Sequence, residues 1–561
     1  MTLDQGLRQQ AERSPNQTAI HLQHAGRPDL AISYRELWHR AAGYAQAYQR
    51  EGVRPGEVIV LILQHGEDLL YAFWGAIACG VIPSIMPFLT EKLSPEQYRS
   101  DLRVLISVTR PAAVVTYPEF EDQVREALAN DRIVRAVIST RGINEAPGST
   151  SAVDNYAPRS ADDIVLLQHS SGTTGLQKGV ALSHRAVLNQ LDAYGRAIDL
   201  RAGDVIVSWL PLYHDMGLIA GFLLPILEGI PLVLSSPFDW VRAPWRLLRA
   251  VSQYHGTHSW LPNFAYNFMT QKVRDRYLEG VNLESWRAVI NCSEPVRWDS
   301  HWAFFQRFEK FGLHWGSLQT CYAMAENVFG VTQSDLRSEP AVEDIDRAAF
   351  MEAHSARPAV VSGPSMRVMS SGKPLSNTRV QILDAHGSPV PDETVGEIAI
   401  QSDCMLTGYY NRPDADKEAF HDGWFLTGDY GYLSQRELYV AGRKKDLIIV
   451  GGKNIYPQDL EALSYEVPGI HPGRSVAFGV FNEELGTEDV CMVAEADSED
   501  AVQQLRLADL IRQHVTKSSA IALRHVRVVG PKWILKTSSG KTARVANRDK
   551  FLRESSDSGT Q

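Results

Sequence analysis

Cysteine is scarce: the chain has five, Cys79, Cys292, Cys321, Cys404 and Cys491, in 561 residues. They lie far apart and are odd in number, so neither a disulfide framework nor a metal-ligand spacing emerges, as suits a reducing cytoplasm. The N-terminus, Met1-Thr2-Leu3-Asp4-Gln5, lacks a basic segment leading into an apolar one, and no secretory signal is expected. Long apolar runs are missing too. The most apolar stretch, Met216 to Leu227, is flanked by Asp215 and Glu228; it is too short to span a bilayer and is expected to be buried. An excess of positive charge is also absent. The formal net charge of −10 disfavours non-specific binding to nucleic acid. There are no internal repeats and no low-complexity blocks. The expectation is a soluble cytoplasmic protein with no transmembrane segment and no nucleic-acid partner; its oligomeric state is not written in these features.

What is present is a globular composition, 44% hydrophobic and 22% charged, in a chain too long for one core, so two or more domains are expected. Through residue 160 and beyond, helical patterns alternate with short apolar strands. Tyr34 opens an Ala-rich helix to about Glu51, Val58–Leu63 reads as a strand, and Leu69 to Cys79 reads as a helix. Val81–Ile85, Val205–Trp209 and Leu232–Leu234 read as further strands. This rhythm predicts helices packed on layers of largely parallel sheet, whose strand ends are the usual ligand sites. From Arg367 the texture changes to short β runs separated by turns, which predicts a small β subdomain. A boundary is expected near Gly442-Arg443-Lys444-Lys445-Asp446. The predicted organisation is an N-terminal domain over 1–442 and a smaller α+β C-terminal domain over 443–561, with Glu554 to Gln561 as a disordered end.

The stretch with the most chemistry is Ser170-Ser171-Gly172-Thr173-Thr174-Gly175-Leu176-Gln177-Lys178-Gly179, directly after the apolar run Ile164–Leu167. Its glycines let backbone N–H groups approach an anion, and its hydroxyls and lysine add donors and charge, so it reads as a phosphate-gripping loop. It is not a Walker A loop, because Lys178 precedes its glycine. Read alone, such a cluster is equally a surface turn. Gly540-Lys541-Thr542 mimics the end of a Walker A, but Leu535 stands where the earlier glycine is required.

Six motifs in order change that balance: Ser170–Gly179, Tyr213-His214-Asp215-Met216-Gly217, Tyr322-Ala323-Met324-Ala325-Glu326, Thr427-Gly428-Asp429, Gly442–Asp446 and Ser538-Ser539-Gly540-Lys541. From about Tyr34 to Arg544 the chain resembles the adenylate-forming superfamily of acyl-CoA synthetases, luciferases and peptide-synthetase adenylation domains. Leu210–Leu218, Pro262-Asn263-Phe264-Ala265-Tyr266, Asn291–Arg297 and Tyr456-Pro457-Gln458-Asp459 resemble the fatty acyl-AMP ligases within it. The resemblance implies an α/β enzyme with a mobile C-terminal domain. It also implies ATP and Mg2+ as cofactors, a small carboxylic acid as substrate, and a phosphopantetheine thiol as acceptor, on a carrier protein or on coenzyme A.

The same resemblance implies the roles. Ser170, Ser171, Gly172, Thr173, Thr174, Gly175 and Lys178 clamp the leaving phosphates. Ser293, Glu294, Pro295, Tyr322 and Ala323 contact the nucleotide, with Tyr322 against adenine. Asp429 and Arg443 take the ribose, and Glu326 holds the magnesium ion. Lys541 bridges the substrate carboxylate and the α-phosphate, and His214 sits where the two substrates meet. Trp209, Asp215, Met216, Phe222, Trp260, Phe264 and Met324 are the candidates for an acyl pocket, although such aromatics are often plain core. Lys445 is the hinge, and Gly451 and Gly452 border the thiol channel. Asp335 to Met369 is the candidate for the family's extra segment that blocks the coenzyme A reaction. The basic residues Lys532, Lys536, Arg544, Arg548 and Lys550 offer a docking face for an acidic carrier protein, with a merely solvated face as the commoner reading. Free coenzyme A as acceptor, an amino acid whose ammonium pairs with Asp215, an aryl acid, and a non-catalytic binding protein are the alternatives. Against the last stands the presence of Lys178, Glu326, Asp429 and Lys541 together.

Overall fold

The computed structural model describes residues 1–88, 95–129, 131–143, 159–170, 178–360, 365–450, 453–483, 487–519, 521–537 and 540–558. Two large sheets carry the N-terminal part. In the first, seven strands run in the order Gly408–Tyr409, Lys178–Ser183, Ile164–Ser170, Ile82–Ile85, Val58–Ile62, Ala113–Thr116, Ala136–Ser139. Its central strands are parallel. All five side chains of Val58–Ile62 are buried, the pattern of a parallel strand covered on both faces.

The second sheet has nine strands: Lys373–Pro374, Gly330–Gln333, Leu318–Ala323, Ala288–Asn291, His258–Leu261, Ile206–Ser208, Leu232–Ser235, Thr18–Gln23, Leu30–Ser33. It is parallel through the middle and antiparallel at both ends. The expected parallel layers are therefore mixed sheets. The reason is local, since strands joined by short hairpins must return antiparallel, whereas parallel neighbours need a crossover. Helices cover these sheets, and side-chain caps mark their starts. Ser33 Oγ accepts from the Glu36 amide at 3.2 Å to open Tyr34–Arg50. Ser183 Oγ accepts from the Ala186 amide at 3.1 Å to open His184–Ala197.

Met216–Leu223, the apolar run, is a wide π-helical segment continuing into Leu224–Glu228 and is wholly buried up to Ile226. Such widened turns occur frequently at functional sites. Gly217 is required there because a Cβ would stand 2.2 Å from the Pro211 carbonyl oxygen.

A small antiparallel sheet follows, in the order Thr378–Leu383, Gly396–Ser402, Trp424–Ser434, Phe420–His421, with Glu437–Arg443 on the other side of Trp424–Ser434. Arg443 still belongs to this sheet, opposite Asp429. From Ile448 onward the chain has apolar clusters of its own, around the three strands Ile470–Asn482, Thr487–Ala496 and His525–Val529. A large N-terminal and a smaller C-terminal domain of α/β type result.

Two expectations for the C-terminus are corrected. Glu554 to Ser558 is not a disordered end but the last turns of the helix Arg544–Ser558, and Glu554 accepts from the Trp533 indole at 3.1 Å and pairs with Arg527 at 2.7 Å. Arg544 is not available to a docking partner: its guanidinium is buried against Glu461 and the Ala477 carbonyl. Lys550 likewise donates to the Trp533 carbonyl at 2.9 Å and lies 4.3 Å over its ring. The five cysteines are buried, and none of them forms a disulfide. Among the described residues, no helix is long and apolar enough to cross a membrane.

Candidate active site

Strand ends from both large sheets meet the small sheet and a turn of the C-terminal domain. Ile164–Ser170 and Lys178–Ser183 are an antiparallel pair in which Ser170 faces Lys178. The glycine-rich stretch is therefore the connection of a hairpin, whereas a Walker A loop joins a strand to a helix. Ser171, Gly172, Thr173, Thr174 and Gly175 lie outside the described residues, as does the side chain of Ser170. Lys178 is described, and its ammonium stands 4.5 Å over the ring of Tyr409.

Tyr409 also reaches the expected metal residue. Its hydroxyl donates to Glu326 Oε1 at 2.9 Å, while the Leu406 amide donates to the Glu326 carbonyl at 2.8 Å. Burial and nearby Asp215 raise the Glu326 carboxyl above its ordinary value. No group of three or more His, Cys, Asp and Glu among the described residues could hold a metal unaided. One carboxylate completed by phosphate oxygens and water is nevertheless the usual magnesium arrangement, and Glu326, half-buried with only Oε1 bonded to Tyr409, fits it.

Tyr322, at the end of Leu318–Ala323, donates to Asp429 Oδ2 at 2.7 Å. Arg443 approaches Asp429 Oδ1 to 3.6 Å, and the Asp429 amide is held by Thr427 Oγ1 at 3.1 Å. Burial raises the Asp429 carboxyl, against the pull of Arg443 and the Tyr322 hydroxyl. Ala323 and Met324 continue from that strand, and the Met324 amide closes onto the Phe329 carbonyl at 2.9 Å. Val328, at φ +62°, is a β-branched residue in the left-handed region, a conformation that survives only where the surroundings enforce it.

Ser293 is likewise at φ +70°, just past Ala288–Asn291, with its hydroxyl 3.8 Å from the Met216 sulfur. Glu294 accepts from the Phe264 amide at 2.8 Å. Its carboxyl is raised by burial, partly offset by the Phe264 amide and by Lys541 and Lys536.

Lys541 follows a tight turn in which the Gly540 amide bonds to the Thr537 carbonyl at 2.9 Å. Gly540 is at φ +86°, and a Cβ there would meet the Phe264 ring at 3.8 Å. The charge of Lys541 is felt by His214, Asp215, Glu294 and Asp429. The charge of one C-terminal lysine thus acts on groups from three separate segments. Burial, and then Lys541, lower His214 to about 3, so its imidazole is neutral, and Nε2 has no partner among the described residues. Asp215 accepts from the Met216 amide at 2.8 Å and caps the π-helical segment. Its carboxyl is raised by burial.

The acyl-pocket candidates divide. Trp209 stacks on Trp240 at 3.6 Å, and both meet Phe264 edge-on; this aromatic group lies beside the lysine turn. Phe222 instead packs against Phe73 at 5.9 Å, and the Trp260 indole donates to Tyr194 Oη at 2.8 Å. Both are fully buried core contacts.

Lys445 lies in the turn Lys444–Asp446. Its side chain reaches solvent, yet desolvation in the crevice and then the Arg443 guanidinium lower it to about 8. Gly451 and Gly452 lie outside the described residues. Two motifs that the sequence holds far apart are joined: Arg297 donates to Asp459 Oδ1 at 2.9 Å and to the Gln458 carbonyl at 3.0 Å. The stretch Asp335 to Met369 forms the strand pair Val342–Asp346 and Ser365–Met369 around the helix Arg347–Ala353. It touches both domains. Arg367 lies 4.9 Å over the Trp298 ring, Arg347 donates to the Ser518 carbonyl at 2.7 Å, and Glu352 pairs with Lys453 at 2.5 Å.

Sequence reasoning missed Tyr409 and Trp240. Neither sits in a motif of its own, and only the strand pairing Tyr409↔Val180 brings the tyrosine beside Lys178.

The chain is similar to known proteins over nearly its whole length. The chain is 29% identical to the medium-chain-fatty-acid–[acyl-carrier-protein] ligase JamA of Moorena producens, over 95% of this chain and 91% of that one. It is 29% identical to the long-chain-fatty-acid–AMP ligase FadD26 of Mycobacterium marinum, over 97% and 96%. A solved structure from studies of the fatty acyl-adenylate ligases of E. coli and L. pneumophila superposes with a TM-score of 0.91 at 26% identity, covering 99% of this chain and 98% of that one. The family model of the AMP-binding enzymes matches residues 7–410. With a lysine, a tyrosine–aspartate pair and a half-buried glutamate gathered at one place, the chain belongs to the AMP-binding enzyme family.

Proposed function

We propose that this protein activates a carboxylic acid of fatty or otherwise apolar type with ATP, and then passes the acyl group to the thiol of a phosphopantetheinyl carrier protein. In the first step a carboxylate oxygen bonds to the α-phosphorus, the bond from that phosphorus to the β-bridging oxygen breaks, and pyrophosphate leaves. No proton is transferred. Two anions must meet, so the catalyst has to align and neutralise rather than supply a covalent group. The observation that carries the reading is that the turn before Lys541 lies beside Phe264, whose amide bonds to Glu294, with the charge of Lys541 acting on His214, Asp215, Glu294 and Asp429.

In this reading Lys541 bridges the substrate carboxylate and the α-phosphate. Tyr322 gives adenine a flat apolar face beside Ala323, and its bond to Asp429 orients that carboxylate to accept from the ribose hydroxyls, with Arg443 donating to the same sugar. Ser293, Glu294 and Pro295 wall the nucleotide, and the hydroxyls and amides of Ser170 to Gly175 with Lys178 hold the leaving phosphates. Magnesium bound at Glu326 supplies charge neutralisation to the phosphates. His214, neutral at physiological pH, serves as a hydrogen-bonding gate rather than a cation. Trp209, Met216, Phe264 and Met324 line the acyl entrance. Asp215, already capping a helix and facing the charge of Lys541, is poorly placed to pair with a substrate ammonium, which favours a fatty over an amino acid.

In the second step a thiol attacks the acyl carbon and AMP leaves. Rotation of the C-terminal domain about Lys445, with Gly451 and Gly452 along the thiol path, makes room for it. A carrier protein is preferred to free coenzyme A because JamA, a relative matched over nearly its whole length, is named for an acyl-carrier-protein acceptor. Buried cysteines that form no disulfide suit a cytoplasmic setting.

The test is an ATP-dependent assay over fatty, aryl and amino acids that detects acyl-AMP by mass, with coenzyme A and holo-carrier protein supplied in parallel. Acyl-AMP from apolar acids and acylated carrier protein are expected. Acyl-CoA formed as fast as the adenylate would overturn the acceptor, and no adenylate from any acid would overturn the activity.

A further inference from the structure

One side chain touches two of the groups that handle the nucleotide. Tyr409, nearly fully buried, belongs to the two-residue strand Gly408–Tyr409, which pairs with Lys178–Ser183 at the edge of the seven-stranded sheet. Its amide is fixed by Asp416 Oδ1 at 2.7 Å. From that anchored backbone its hydroxyl reaches Glu326 Oε1 at 2.9 Å, and its ring lies 4.5 Å below the Lys178 ammonium. Lys178 opens a strand of the seven-stranded sheet and Glu326 sits in the turn after Leu318–Ala323 of the nine-stranded one, and Tyr409 contacts both.

The two contacts are chemically distinct. The phenol is a donor toward the carboxylate. A donated hydrogen bond holds one carboxylate oxygen and turns the other outward, as partners behind a metal ligand commonly do. The ring face attracts the ammonium through its quadrupole and limits where that flexible stem can swing.

We propose that Tyr409 is a positioning residue that sets Glu326 and Lys178 relative to one another, so that ATP is bound as its magnesium complex in preference to free ATP. The proposal rests on the reading of Glu326 as the magnesium carboxylate, and binding measurements separate the two.

The full-length protein and its Tyr409→Phe, Tyr409→Leu and Glu326→Gln variants are titrated calorimetrically with ATP, once in EDTA and once in saturating magnesium. Tyr409→Phe keeps the ring and removes the hydroxyl. It is expected to cut the preference for magnesium-ATP by about ten-fold, the size found when partners of metal ligands are removed, with free-ATP binding unchanged. Tyr409→Leu is expected to weaken free ATP as well, by about three-fold, because the ring beneath Lys178 is lost. An unchanged magnesium preference in Tyr409→Phe, beside a lost one in Glu326→Gln, would overturn the role of Tyr409 alone. A preference that survives Glu326→Gln would overturn the underlying metal reading. Equal weakening of both nucleotide forms in Tyr409→Phe, with a lowered melting temperature, would reduce Tyr409 to a packing residue and overturn the proposal.

Discussion

The Tyr322 hydroxyl donates to Asp429 Oδ2 at 2.7 Å, tying the nine-stranded sheet to the small antiparallel sheet at the point where the nucleotide is proposed to lie. Hydrogen bonds to charged groups contribute roughly 1.5–3 kcal/mol, and burial already disfavours the Asp429 carboxylate. Tyr322→Phe is expected to weaken ATP and AMP binding by about ten-fold, while the ring still faces adenine. Asp429→Asn is expected to lose more, because its amide oxygen is a weaker acceptor for two ribose hydroxyls. Calorimetric titration with AMP checks both, and undiminished AMP affinity in Tyr322→Phe would remove this bond from nucleotide recognition.

Lys541 makes a sharper prediction. Its charge acts where the two anions meet, so Lys541→Ala is expected to lower acyl-adenylate formation by at least about a hundred-fold with ATP still bound. Pyrophosphate release and ATP titration measured on the same preparation check this. Near-normal pyrophosphate release would take Lys541 out of the first half-reaction.

Arg297 and Lys445 are expected to act on opposite halves of the cycle. The Arg297–Asp459 pair is about one-third exposed on each side, so a double-mutant cycle on thermal stability should give only about 0.5 kcal/mol of coupling. Its effect on rate is the informative one. Arg297→Ala loosens the arrangement that holds Lys541 inside and should slow adenylate formation more than thiol transfer. Lys445→Pro stiffens the turn and should slow transfer more than adenylate formation. Separate single-turnover measurements of the two steps read this out, and equal losses in both steps for either variant would contradict it.

The pH dependence of stability follows from histidines held neutral by burial. His258 and His301 are lowered from the ordinary 6.5 to about 4 and about 3. Below pH 6.5 the unfolded chain takes up protons that the folded one refuses, so stability falls as pH drops from 6.5 toward 4. At pH 5 each such histidine costs about 2 kcal/mol relative to neutral pH. The raised carboxyls of Asp215, Glu294, Glu326 and Asp429 bind protons more readily in the folded state and offset part of this at the acidic end. Urea unfolding midpoints at pH 7, 6 and 5 should decline steadily, and a flat series would show that the histidines do not govern acid stability.

How much of this was legible in the sequence varied with the kind of signal. Apolar runs located some strands of both large sheets to within a residue or two, as at Val58–Ile62 and Leu232–Ser235, because a strand buried on both faces needs nothing but apolar residues; others, such as Thr18–Gln23 and Ala113–Thr116, were not read. The antiparallel edges escaped, since direction depends on hairpin closure and not on strand composition. Candidate site residues inside ordered motifs, such as Tyr322, Glu326 and Lys541, could be named from the sequence. Tyr409 was not, because its meaning comes from a partner strand more than two hundred positions away. The aromatic candidates show the same limit: Trp209 and Trp260 look alike in sequence, yet one stacks beside the lysine turn and the other bonds to Tyr194 in the core. The C-terminal helix was misread as an unstructured end because its sequence is polar, although Glu554 is tied back to Trp533 and Arg527.

The pairing of Thr18–Gln23 with Leu232–Ser235, Ile20 opposite Leu232, has a consequence for how the chain emerges from the ribosome. The first strand must wait for more than two hundred residues to be made before its parallel neighbour exists, and contacts of such separation are slow to form. Until then its apolar face and that of the helix Leu3–Arg13, whose final partners include His184 and Leu227, are left uncovered. The C-terminal domain pairs its strands locally and has no comparable wait. During synthesis this strand and helix therefore stay without their final partners until more than two hundred further residues have been made.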